Sequence, residues 1–154
     1  MNHSGIVKAI ATQSTAVNSL CAGRIYPAAI PQKAAFPAAV VTLISGFTND
    51  TKTSAGDRDT CRVQVDSYAP KLSDADVLSD AIRGRLEFYS GPVTVGNSIY
   101  TVTSCRCLTP SQTWEDEKEL FRVTYDYQLS LERASTQSGV GIGYMTIGST
   151  FTIA

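Results

Sequence analysis

The sequence predicts an α+β fold: two helices packed on one face of a mostly antiparallel β-sheet, followed by a C-terminal extended β arm. Three observations carry this. Phe121, Val123, Tyr125, Tyr127, Leu129 and Leu131 alternate strictly with Arg122, Thr124, Asp126, Gln128 and Ser130, the period of a strand with one buried face. Ala75, Leu78, Ile82 and Leu86 recur at helical spacing in mid-chain. The order of elements, a helix, two strands, a helix and three strands, favours helices gathered over one side of an antiparallel sheet.

The chain begins with a helix over residues 4–20, because Ile6, Ile10, Val17 and Leu20 fall on one face. Gly23 supplies the permissive backbone that ends it. Pro27, Pro31 and Pro37 then punctuate a stretch that suits neither helix nor central strand, an irregular crossing loop anchored by Tyr26, Ile30 and Phe36. Residues 39–44 are rich in β-branched side chains and read as the first strand. A polar loop over residues 48–60 leads to a second strand, in which Cys61, Val63 and Val65 alternate with Arg62, Gln64 and Asp66.

The second helix carries the strongest start signal. Ser73 is the expected N-cap with Asp76 three residues on, and Leu72 with Val77 forms a hydrophobic staple. Gly91-Pro92 is expected to stop this helix. Residues 93–95, a Gly96-Asn97 turn and residues 98–108 make a hairpin. A second polar loop over residues 109–119 carries Trp114 beside Glu115, Asp116 and Glu117, and the alternating strand follows. Residues 134–143 have the Ser, Thr and Gly content of a linker, and residues 144–153 recover β character through Tyr144, Ile147, Phe151 and Ile153. The expected organisation is a domain over residues 1–133 and a linker with a β arm over residues 134–154. A strand without a hairpin partner is a candidate for the sheet edge of another subunit, the alternative being its own sheet.

Composition narrows the chemistry. The 154 residues suffice for one domain, which at this length buries roughly 70% of its unfolded surface. A formal net charge of -1 lacks the basic footprint of a nucleic-acid coat. No apolar run approaches the ~20 residues of a membrane-spanning helix, so no membrane role is expected. Charge is unevenly placed: the first 49 residues hold no acid, only Lys8, Arg24 and Lys33, and residues 134–154 hold no charge at all. An uncharged C-terminal segment is expected to lie against something.

Met1-Asn2-His3-Ser4 does not resemble an export signal, so Cys21, Cys61, Cys105 and Cys107 are expected as free thiols. Cys105 and Cys107 lack zinc-knuckle spacing, and His3 is the single imidazole. Neither a metal site nor a histidine-based triad is expected. Asp74, Asp76, Asp80 and Glu115 are the residues a small carboxylate-dependent hydrolase would need, with solvated charge as the plainer reading. Residues 139–143 hold three glycines but lack the Lys-Ser/Thr of a phosphate-binding loop.

Several segments together resemble a known family. Gly23-Arg24-Ile25-Tyr26-Pro27, Ile30-Pro31, Phe36-Pro37-Ala38, Ile44-Ser45-Gly46, Arg62-Val63-Gln64-Val65-Asp66-Ser67-Tyr68 and the strand from Leu120-Phe121-Arg122 to Asp126-Tyr127 are similar to the small tail-completion proteins of long-tailed bacteriophages. The resemblance covers residues 6–131. It implies a tail terminator: a non-enzymatic, cofactor-free homohexameric ring that caps the tail tube, ends its polymerisation and meets the head or neck. Implied partners are other copies, the tail tube protein and a neck or head-completion protein, with DNA passing through the lumen without specific binding. The implied location is the tail-neck junction of the virion, after assembly in the host cytoplasm. A head-side connector or stopper is the alternative within the same class. Asn49, Lys52 and Arg58 in the first polar loop, Trp114, Glu115, Asp116 and Glu117 in the second, and Tyr144, Ile147, Phe151 and Ile153 in the arm are the candidate contacts with subunits, tube or neck.

Overall fold

The computed structural model describes residues 1–53 and 56–133. Three helices and six strands follow one another as α1 (His3–Ala11), α2 (Thr15–Cys21), β1 (Ile25–Pro27), β2 (Ala38–Thr48), β3 (Arg58–Ala69), α3 (Leu72–Leu86), β4 (Gly91–Val95), β5 (Ser98–Glu115) and β6 (Leu120–Glu132). The strands form one sheet in the order β1-β2-β3-β6-β5-β4, curled into a half-barrel. The α+β class is as expected, but the sheet is mixed, because β1 runs parallel to β2. The proline-rich stretch hides that strand. Pro27 ends a three-residue edge strand, where its missing N–H breaks no ladder.

The expected first helix is two. After Ala11 the Thr12 hydroxyl bonds back to the Lys8 carbonyl at 2.8 Å, and Ser14 caps a new helix by accepting from the Val17 N–H at 3.4 Å. Short polar side chains that satisfy the backbone locally break the run. Ile6, Val7, Ile10, Ala11, Val17 and Cys21 remain buried together. Helix α3 starts without its expected cap: Lys71 occupies the N-cap position with no side-chain bond. Ser73 lies one residue inside the helix, and Val77 faces solvent instead of stapling Leu72. The helix also ends before Gly91-Pro92, at Leu86, because Phe88 turns left-handed (φ 64°) and donates its N–H to the Cys105 carbonyl at 2.8 Å. Gly91 and Pro92 instead begin β4.

The core lies between the helices and one face of the sheet. Leu78, Ile82 and Leu86 of α3 pack with Val63, Tyr127, Leu129 and Leu131, all nearly inaccessible to solvent. The opposite face is polar through its middle, where Arg62 pairs with Asp126 and buried Asp66 accepts from Gln64 and Thr124. At one end of that face Ile30 and Phe36 of the crossing loop pack on Val40, Tyr68 and Leu120, as expected of anchors. Gly96-Asn97 turns the β4–β5 hairpin as expected. Residues 109–115 are strand, not loop: β5 stays paired with β6 from Pro110↔Tyr125 to Glu115↔Leu120. Their polar composition reflects exposure along a long hairpin.

Candidate assembly interface

Of the three groups of candidate contacts, the two that fall on described residues sit at opposite ends of the sheet. Thr48↔Asp59 and Arg58↔Glu132 pair at one end, Ala69↔Phe121 and Glu115↔Leu120 at the other. Strand β6 joins them with 13 residues, which at about 3.3 Å each separates them by roughly 40 Å.

At the first end a clamp holds the β2–β3 loop. Arg133 donates from Nη1 to Asp50 at 3.0 Å and from Nη2 to Asp59 at 2.8 Å, while its backbone N–H reaches the Asp57 carbonyl at 2.8 Å. The Gly56 N–H and the Thr48 hydroxyl also donate to Asp50, at 2.8 and 2.9 Å. These bonds, led by the Gly56 amide, hold the Asp50 carboxyl below its ordinary value. Gly56 is required there: a Cβ would stand 2.0 Å from the Asn49 carbonyl oxygen. Asn49 donates its N–H to the Arg58 carbonyl at 3.3 Å, and both Lys52 and Arg58 are exposed.

At the second end Trp114 and Phe121, paired across β5 and β6, place their rings 4.6 Å apart at 58°. Trp114 still exposes 44% of its surface. Glu115 is neutralised by Arg122 at 3.1 Å, and Lys118 stands 5.2 Å over the Tyr68 ring. Asp116 and Glu117 occupy the exposed turn, so the expected acidic run is two free acids beside a paired one.

The carboxylates weighed for hydrolysis are dispersed among separate partners. Asp76 accepts from Gln112 at 2.8 Å, Asp80 from the Tyr125 hydroxyl at 3.4 Å, and Glu115 holds Arg122. The four cysteines are free thiols, and burial pushes Cys61 to about 11 and Cys105 to about 12, far from the thiolate a nucleophile requires. Among the described residues no group of three His, Cys, Asp or Glu side chains is placed to hold a metal ion.

Sequence reasoning missed the bare sheet edges. Strand β1 covers β2 only from Ala39 to Val41, and β4 covers β5 only from Ser98 to Val102. Beyond these stretches, among the described residues, neither β2 nor β5 has a neighbouring strand on its outer side, although the Phe88 N–H bonds to the Cys105 carbonyl of β5. Leu43, Ile44 and Phe47 are exposed along one edge; Leu108 and the 77% exposed Phe88 stand along the other. Tyr144, Ile147, Phe151 and Ile153 lie outside the described residues.

The family described as Tail completion protein gp17 matches residues 6–132. The chain belongs to this family. It is a structural protein of the phage tail, and its place is in the virion. A solved chain from the virion of a native gene transfer agent (GTA) particle is similar in fold, at 16% identity with a TM-score of 0.57. That likeness covers 84% of this chain and 96% of the other. No curated protein matches.

Proposed function

We propose that the chain is a tail terminator, a homohexameric ring at the tail-neck junction that caps the tube, ends its polymerisation and presents a surface to the neck or head-completion protein. The observation that carries this reading, beyond family membership, is the pair of bare edges on opposite sides of one sheet. Different patches on opposite flanks favour head-to-tail contact between copies, and a head-to-tail contact closes into a ring or runs on as a filament. The two ends of the sheet then supply distinct axial surfaces. Asn49, Lys52 and Arg58 stand on one, and Trp114, Asp116 and Glu117 on the other. The free acids would repel phosphate where they approach the lumen, which lets DNA pass without binding.

Light scattering coupled to size separation tests the ring, with negative-stain images of the same sample. A closed ring of six subunits is expected at micromolar concentration or on addition of tube protein. A chain that remains monomeric in both conditions contradicts the proposal.

A further inference from the structure

The bare stretch of β2 and the uncharged C-terminus point to each other. Ala39 donates to the Arg24 carbonyl, and the Val41 carbonyl accepts from Ala28. Backbone groups alternate along a strand, so the next outward-facing N–H and C=O belong to Leu43, where β1 has already ended; the register against β3 then shifts between Leu43 and Ser45, and a new alternation starts beyond Ile44. Among the described residues no strand pairs with the outer side of residues 43–48, where Leu43, Ile44 and Phe47 are exposed. Such an edge is a template for an added strand. We propose that residues 144–153 of one copy add as a strand to the β2 edge, residues 43–48, of the next copy. The proposal rests on the ring reading and names what ties its subunits together.

Two features favour this occupant. First, neither residues 38–49 nor residues 134–154 contain a charged side chain, so their pairing buries no charge, and Ile147, Phe151 and Ile153 meet an apolar edge. Second, the lengths agree: ten residues of the Ser, Thr and Gly composition of 134–143 would span about 16–19 Å root-mean-square as a coil, several strand spacings of ~4.8 Å.

Hydrogen exchange on the full chain tests this, read above and below the assembly concentration with mass measured on the same samples. The comparison is with the full-length double variant Ile147→Asp, Phe151→Asp, whose changes lie outside the described core. In assembled protein the amides of residues 43–48 are expected to exchange at least about tenfold more slowly than in dissociated subunits. The variant is expected to lose that protection and to dissociate more readily, with the β3–β6 ladder unchanged. Protection that is equal at both concentrations places the segment on its own subunit and overturns the proposal. A ring whose β2 edge is unprotected, or equally protected in the variant, overturns it while leaving the ring intact. A chain monomeric at every concentration overturns both.

Discussion

Phe47→Thr is the perturbation that most sharply separates an interface from a merely exposed edge. Phe47 retains 60% of its surface in the subunit. Full burial of a phenylalanine is worth about 1.5–3 kcal/mol, so covering the remainder contributes about 1–2 kcal/mol to each contact. At about 1.4 kcal/mol per tenfold, losing it weakens each pairwise association by about 5- to 30-fold. Threonine keeps the β-branched shape that a strand favours, so the isolated subunit should change by no more than about 0.5 kcal/mol, or ~1–2 °C in Tm. Light scattering across a dilution series gives the association, and calorimetry of dissociated protein gives the Tm. The reasoning is refuted if assembly is unchanged while the subunit Tm falls by several degrees, because Phe47 would then be supporting its own fold.

The remaining predictions concern the domain and its clamp. Leu78→Ala empties a fully buried position between α3 and the sheet. It should cost about 2–5 kcal/mol, visible as a shift in the denaturation midpoint with an unchanged slope. Gly56→Ala drives a methyl into the Asn49 carbonyl, so it should destabilise the β2–β3 loop by about 1–3 kcal/mol and speed proteolysis within residues 49–57. Asp50 is lowered from its ordinary value by bonds made only in the folded chain, so its contribution is complete above the unfolded pKa and is lost as pH falls through the folded one. Loop protection should therefore persist at pH 5 and fade only below the ordinary aspartate range, and Asp50→Asn should flatten that acid dependence.

The sequence analysis was reliable wherever period alone decided the answer. Strand β6 alternates so regularly that Val123, Tyr127, Leu129 and Leu131 were legible as its buried face, although Phe121 and Tyr125 are only half-buried and Leu120 and Thr124 are buried on the other side; the buried face of α3 from Ala75 to Leu86 was equally clear. Boundaries failed where tertiary contacts overrode local signals. Ser73 looks like a cap, yet the chain enters α3 two residues earlier, and Phe88 ends the helix through a bond to Cys105 that is remote in sequence. The parallel pairing of β1 was hidden by prolines that are harmless at an edge. Residues 109–115 read as a loop because a strand exposed on both sides loses the hydrophobic alternation that betrays strands.

The candidate interface was legible in part for the same reason. Trp114 and the turn acids stand out by composition, whereas the significance of Leu43, Ile44 and Phe47 depends on β1 ending three residues after it starts. No local pattern around Phe47 encodes that. Arg133 escaped notice because its partners, Asp50 and Asp59, lie far away in the chain and are brought to it by the β3–β6 register.

Tail length in particles assembled without this protein tests the central claim most directly. Loss of a terminator should leave tubes that grow past their normal length, seen as a broad, overlong distribution in electron micrographs and restored by the intact chain. Tails of normal length beside heads that leak DNA would contradict the account and assign the protein to the head side of the neck.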